Sequence, residues 1–255
     1  MPLLKIDKLS KSFGGLKAVS NLNVEINDGE LIGLIGPNGA GKTTVFNLLT
    51  GVYEPTEGSV KFQSKDMRGL KPYQVTQSGM ARTFQNIRLF SDLTVIENVK
   101  IAYHQRSSYS TLSAFLRLPS YYAGEEEMHR KAMELLKIFN LEDKAEEVAK
   151  NLPYGEQRRL EIARALGTEP KLLLLDEPAA GMNPQETHDL MNLIRWIRQQ
   201  FNLAILLIEH DMSLVMGVCE RIYVLDYGMI IAQGTPDEIK SNPKVIEAYL
   251  GEEVV

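Results

Sequence analysis

The sequence predicts an α/β fold: a mostly parallel sheet covered on both faces, with an antiparallel β part at the N-terminus and a helical insertion in the middle. Three observations carry this. Short apolar runs of strand length recur at ELIGLIG (30–36), KLLLLDEP (171–178) and NLAILLIEH (202–210). Amphipathic helical patterns fall between them, the alternation that gives a parallel sheet. Segments 3–7, 17–26 and 58–63 instead alternate apolar and polar residues, as half-buried antiparallel strands do.

Taken in order, turns are expected at FGG (13–15) and NDG (27–29), and TTVFNLLTGV (43–52) has helix spacing with a glycine stop. A short helix fits 72–78, and ARTFQ (81–85) reads as a strand with Gln85 at its end. Helical patterns dominate from about 86 to 165. In EEEMHRKAMELLKIFNL, residues Met128, Ala132, Leu135, Leu136 and Phe139 share one face. An amphipathic basic helix opens after LPYG (152–155). The next helix, QETHDLMNLIRWIRQQ, points Leu190, Leu193, Ile194 and Ile197 inward, and RIYVLDYGMIIAQG (221–234) reads as a hairpin turning at Tyr227-Gly228 before a helical tail.

At 255 residues the chain makes one large domain or two small ones. Its net charge of −5 disfavours a nucleic-acid partner, since such proteins carry a basic excess. Cys219 is the single cysteine, so no internal disulfide forms, and a small apolar filler is its simplest role. The N-terminus has no signal-peptide pattern, and no run of about 18 apolar residues occurs. A cytosolic chain is expected unless something carries it to a membrane.

GPNGAGKT (36–43) fits G-x-x-x-x-G-K-[ST] between a strand and a helix. Gly36, Gly39 and Gly41 let the backbone curl until successive N–H groups face phosphate oxygens, and the positive end of the following helix adds attraction. Lys42 reaches the β- and γ-phosphates, Thr43 supplies a hydroxyl to Mg²⁺, and Thr44 bonds the α-phosphate. Asp176 ends a buried strand, where a carboxylate is costly unless it meets a cation, here Mg²⁺. Glu177 follows it, placed to polarise an attacking water. His210, read as ending the neighbouring strand, can bond the γ-phosphate, because ligands gather at the carboxyl ends of parallel strands. Gln85 is a further candidate for Mg²⁺ and the attacking water.

These pieces in this order resemble the ATP-binding cassette (ABC) ATPases over essentially the whole chain. The resemblance implies one domain of P-loop NTPase type: a RecA-like ATP-binding core with its antiparallel β part over 1–85 and 166–255, and a helical subdomain over 86–165. GPNGAGKT is similar to the family's Walker A motif, with ATP contacts at Gly36, Pro37, Asn38, Gly39, Ala40, Gly41, Lys42, Thr43 and Thr44. LLLLDE resembles Walker B with its catalytic glutamate, Gln85 the Q-loop, and His210 the switch histidine. Phe13 lies where the family stacks an aromatic on adenine. LPYGEQ falls on the signature motif, usually LSGGQ, at Pro153, Tyr154, Gly155, Glu156 and Gln157.

In that family two cassettes sit head to tail, and each signature loop covers the other's ATP. Two departures stand out: Pro153 replaces the signature serine, and Asn183 in AAGMNP (179–184) replaces the usual D-loop aspartate. NIRLFSDLTVIENV (86–99) lies where the family docks a membrane partner; its other reading is ordinary subdomain packing, and the two are compatible. GMARTFQNIRLF, the insertion HQRSSYSTLSAFLRLPSYY and the tail AYLGE are most similar to ATPase subunits of branched-chain amino-acid importers. The insertion's aromatics read as a surface helix hairpin or a partner surface. The resemblance implies ATP and Mg²⁺ as cofactors and hydrolysis of ATP to ADP and phosphate. It further implies a homologous second ATPase, two membrane permeases and, indirectly, an extracytoplasmic binding protein, with the chain at the cytoplasmic face of the membrane. A cassette of another transporter, such as a lipopolysaccharide or other exporter, and a soluble non-transport cassette are the alternatives.

Overall fold

The computed structural model describes residues 1–106 and 109–250. Gly251 and Glu252 of the tail, and Ser107 and Ser108 of the insertion, lie outside the described residues. The chain folds as two compact units, Met1–Arg82 with Lys171–Val255, and Thr83–Pro170.

In the first unit the apolar runs become β3 (Leu31–Ile35), β7 (Leu172–Asp176) and β8 (Ala204–Ile208), each buried at every position. Strands buried on both faces cannot alternate, which is why these runs are continuously aliphatic. With β6 (Met80–Arg82), β9 (Arg221–Asp226) and β10 (Met229–Gly234) they form a six-stranded sheet in the order β10-β9-β3-β8-β7-β6. All neighbours are parallel except β9 and β10, which make the hairpin. Its turn residues Tyr227 and Gly228 both have positive φ, 41° and 78°, as a two-residue hairpin turn requires.

The alternating segments form a four-stranded antiparallel sheet from β1 (Leu4–Phe13), β2 (Leu16–Ile26), β4 (Glu57–Phe62) and β5 (Lys65–Asp66), in the order β2-β1-β4-β5. Leu4, Ile6, Leu22 and Phe62 from this sheet share one core with Ile32, Leu34, Leu174 and Leu206 from the larger one. The helices of this unit are α1 (Lys42–Leu49), α2 (Pro72–Gln77), α7 (Pro184–Phe201), α8 (Met212–Val218), α9 (Pro236–Lys240) and α10 (Pro243–Leu250). On α7, Leu190, Ile194 and Ile197 are buried as expected, whereas Leu193 is only half-buried at the margin of the apolar stripe.

The second unit holds α3 (Val95–Tyr103), α4 (Thr111–Phe115), α5 (Pro119–Ile138) and α6 (Tyr154–Leu166). Thr94 and Glu97 close a reciprocal capping box at the start of α3. Met128, Ala132, Leu135, Leu136 and Phe139 form the buried face of α5 and its C-cap, matching the sequence pattern.

Two strand ends differ from the sequence reading, and in each a buried carboxylate explains why. Gln85 does not end a strand: β6 stops at Arg82, and the next backbone groups turn to side chains of the second unit. Arg158 donates to the carbonyls of Phe84 and Gln85, both at 2.6 Å, while the Glu161 carboxylate accepts from the amides of Phe84 and Arg88. His210 does not end β8 either. The strand stops at Ile208, because the Glu209 carboxylate accepts the amides of His210 (3.0 Å) and Asp211 (3.3 Å) and bends the chain. Asp211 then caps α8.

Candidate functional site

Parallel pairing places the C-terminal ends of β3, β8 and β7 at one edge of the sheet, with β8 in the middle. The glycine loop leaves β3 there, Glu209 and His210 leave β8, Asp176 ends β7 and Glu177 follows it. Such an edge is where open α/β sheets bind ligands.

The loop's geometry follows from its glycines. Gly36 and Gly41 have φ of 151° and 106°. A Cβ on Gly36 would collide with the Leu225 carbonyl, and one on Gly41 would lie 2.6 Å from the Ala18 carbonyl oxygen. Only glycine lets the loop pass this close to β9 and β2. Asn38 and Gly39 face solvent, and α1 opens without a side-chain cap, so its first amides point at whatever the loop encloses. Lys42 is buried, and its Nζ donates to the carbonyls of Gly36 (2.6 Å) and Pro37 (2.8 Å). The ammonium is therefore held inside the loop, where an anion would meet it.

Asp176 is buried, its side chain only 4% exposed, and Arg82 Nη2 donates to its Oδ2 at 2.7 Å. Arg82 drew no attention in the sequence, because its partner lies far along the chain. Glu177 adopts φ of 48°, a left-handed conformation that costs a non-glycine residue about 1–3 kcal/mol. Its amide still donates to the Ile208 carbonyl at 2.9 Å, so the β7–β8 ladder runs one step past Asp176 before the chain turns. The turn brings the Glu177 carboxylate within 3.8 Å of His210 Nδ1, on a side chain that is 64% exposed.

Glu209, directly after β8, also lies at this edge. Its carboxylate is buried, lies 3.7 Å from His210 Nδ1, and accepts the Ala179 amide at 2.8 Å, tying the segment after Glu177 to the one that carries His210. Burial raises its pKa above the usual carboxylate value, against the lowering effect of the amides of Ala179, Asp211 and His210. A charged residue directly after an aliphatic strand was the available signal. Asn183 has a local role: it caps α7 by accepting the Glu186 amide at 3.0 Å, in a capping box that Glu186 completes.

At the small sheet, Phe13 is partly exposed and packs edge-on against Tyr53, with ring centroids 5.1 Å apart. The Lys11 ammonium sits 5.1 Å from the Phe13 centroid. This exposed aromatic corner can stack a planar base, and Tyr53 is a member the sequence reading missed.

Gln85 and the signature residues belong to the second unit. Pro153 begins α6 without a side-chain cap. Tyr154 is exposed and its hydroxyl accepts from Arg158, Gln157 donates to the Leu152 carbonyl at 2.8 Å, and Glu156 pairs with Lys144 at 2.6 Å. Within this unit, therefore, the helix that the signature loop opens also grips the backbone of Gln85 through Arg158.

The donor chemistry suits a hard divalent cation carried in with phosphates. The Thr43 hydroxyl is exposed beside the loop, and the Asp176 carboxylate is a second oxygen donor at the same edge. One or two protein oxygens completed by substrate phosphates is how Mg²⁺ is usually held.

Among the described residues no helix is long and apolar enough to cross a membrane. The family model described as "ABC transporter" matches residues 19–180, and one described as "Branched-chain amino acid ATP-binding cassette transporter" matches 229–255. The high-affinity branched-chain amino acid transport ATP-binding protein LivG of Escherichia coli K12 is 50% identical over 98% of both chains. Its counterpart BraF of Pseudomonas aeruginosa is 45% identical over the same share. A crystal structure of an ABC-transporter cassette in its ADP conformation aligns with a TM-score of 0.85 at 33% identity, covering 98% of this chain and 99% of that one. A glycine loop and an acidic strand end on one sheet edge are thus found in a chain matched along nearly its whole length, and the chain belongs to the ABC transporter family as an ATP-binding cassette, the ATP-hydrolysing component.

Proposed function

We propose that this cassette powers import of branched-chain or related hydrophobic amino acids, working with a homologous second ATPase and two membrane permeases that hold it at the cytoplasmic face of the membrane. A binding protein on the far side would deliver the cargo. The observation that carries the ATPase chemistry is the shared strand edge, which gathers an anion loop, a buried carboxylate, Glu177 and His210. The cargo rests on the 50% identity to LivG over 98% of both chains.

In this reading the amides from Asn38 to Thr44 bind the phosphates of ATP, and Lys42 exchanges the carbonyls of Gly36 and Pro37 for the β- and γ-phosphates. Thr43, Asp176 and Gln85 would hold Mg²⁺. Bound there with the nucleotide, the ion would supply positive charge against the negative charge that develops in the transition state. Glu177 orients the attacking water and accepts its proton, and His210 bonds the γ-phosphate. Phe13 stacks on adenine. Gly155 and the amides opening α6 cover the ATP of the partner cassette, so loss of the γ-phosphate releases the closed pair.

The test is uptake of labelled leucine, isoleucine and valine by cells that carry either the wild-type chain or Lys42→Ala as their sole copy. Lys42→Ala should abolish uptake of these amino acids and spare that of an unrelated solute. Unchanged branched-chain uptake would overturn the cargo assignment.

A further inference from the structure

We infer that Arg82 is a positioning residue for Asp176, fixing its carboxylate for the metal that accompanies ATP and tying it to the helix of the phosphate loop. This rests on the reading of Asp176 as a metal-holding group. Arg82 is the last residue of β6, and Asp176 the last of β7, the strand beside it. Both side chains are almost wholly buried, 6% and 4% exposed. Nη2 donates to Asp176 Oδ2 at 2.7 Å, while Nη1 donates to Asn47 Oδ1 at 2.7 Å and Thr50 Oγ1 at 3.3 Å. The guanidinium also lies over the Phe46 ring, 5.4 Å from its centroid. Phe46 and Asn47 belong to α1, and Thr50 caps its end.

One planar cation thus spans a carboxylate on the sheet, two side chains of the helix that begins with Lys42 and Thr43, and the residue that caps it. A lysine could neutralise Asp176, but it lacks the rigid fork that bonds two acceptors in fixed directions. The elements it joins are the helix that follows the glycine loop and the strand that ends in Asp176. Residues of this kind, which orient a metal-binding carboxylate, commonly change metal affinity by about 10–100-fold when replaced.

The experiment is calorimetry with the non-hydrolysed analogue AMP-PNP, once with MgCl₂ and once with EDTA. The purified chain is compared with Arg82→Gln, Arg82→Lys, Asp176→Asn and the double variant Arg82→Gln/Asp176→Asn. The quantity read is the gain in affinity due to Mg²⁺ within each variant, which cancels any uniform loss from reduced stability. Asp176→Asn and Arg82→Gln should each cut the gain about tenfold or more. Arg82→Lys should recover part of it, and the double variant should lose no more than Asp176→Asn alone. If Arg82→Gln lowers the melting temperature but leaves the gain intact, Arg82 is a structural brace and the inference falls. Additive losses in the double variant would overturn it too, because Arg82 would then act elsewhere. If Asp176→Asn itself leaves the gain intact, the metal-holding role of Asp176 fails and takes the inference with it.

Discussion

Each unit of the molecule contains a buried arginine–carboxylate pair, and the two pairs are built differently. In the first unit Arg82 and Asp176 come from separate strands, and α1 shares the arginine. In the second, Arg158 and Glu161 lie three residues apart on α6, exposed 0% and 1%, with Arg158 Nη1 donating to Glu161 Oε2 at 2.8 Å. Both also bond the backbone of the loop, Arg158 at Phe84 and Gln85 and Glu161 at Phe84 and Arg88, and Arg158 donates to the Tyr154 hydroxyl as well. One pair holds the carboxylate that we propose serves the metal and ATP. The other uses its carboxylate to hold a loop. Desolvation is costly in both places, so each pair needs further hydrogen bonds, but in the proposed mechanism only the first has to leave its acid available to a substrate.

The sharpest way to break this comparison is to remove the second arginine. Arg158→Met leaves Glu161 buried without its cation and frees the carbonyls of Phe84 and Gln85. Breaking such a pair costs about 3–5 kcal/mol. Urea unfolding should show that loss, and hydrogen exchange should show the amides of 84–88 exchanging faster than those of β3 or β8. A variant with wild-type stability and protected 84–88 amides would mean that the loop does not depend on the pair.

The contrast also explains what the sequence could and could not reveal. The glycine loop and the aliphatic strand ending in Asp176-Glu177 are contiguous, so residue type and spacing together disclose them. Arg82 and Asp176 meet only because the parallel sheet sets β6 beside β7, and no local pattern encodes that. Arg158 and Glu161 are local, yet α6 reads as an amphipathic basic helix whose charges belong in solvent. What accounts for their burial is the backbone of the loop at 84–88, whose carbonyls and amides they bond, and periodicity carries no information about that. The sequence pattern places Gln85 and His210 at strand ends for a related reason. Apolar runs locate a strand's middle well, while a buried carboxylate such as Glu161 or Glu209 decides where pairing stops.

Within the first unit, the comparison predicts that changes at the strand edge act on rate and spare folding. Glu177→Gln keeps the shape and the left-handed backbone but removes the proton acceptor. Steady-state ATPase activity should fall by about 10²–10³, the scale of general-base catalysis, while the urea midpoint stays where it was. Turnover within about threefold of wild type would remove Glu177 from the chemistry.

A smaller effect is expected at the aromatic corner. Stacking on a base contributes on the order of 1–3 kcal/mol, and every base offers a π-face. Phe13→Ala should therefore weaken ATP and GTP alike. Because Tyr53 packs edge-on against Phe13, Tyr53→Ala should weaken both nucleotides as well, and the double variant should lose less than the two single losses added. Calorimetry with both nucleotides checks this, and full additivity would make Tyr53 an independent contact.

The smallest effect compares the two buried glutamates across pH. Burial raises Glu161 and Glu209 above the usual carboxylate value of 4.5, despite the Arg158 charge on the former and the three amides on the latter. A carboxyl group raised in the folded state binds its proton more tightly there than in the unfolded chain. Its contribution is complete below the unfolded pKa and is lost as pH rises through the folded one. Replacement by glutamine removes that titration. The stability of wild type relative to either Gln variant should therefore decline as pH rises from about 4.5, the sign opposite to that of a salt-bridged surface carboxylate. The two sites should then part in offset. Glu161→Gln strands the Arg158 cation and stays destabilised throughout, whereas Glu209→Gln has His210 beside it, at 3.7 Å, in place of a buried arginine, and should approach wild type at neutral pH. Thermal unfolding of the three proteins between pH 4 and 8 reads both the slope and the offset. A flat difference for Glu209→Gln would mean that its three amides outweigh burial. A vanishing offset for Glu161→Gln would mean that the carbonyls of Phe84 and Gln85 satisfy Arg158 without its acid.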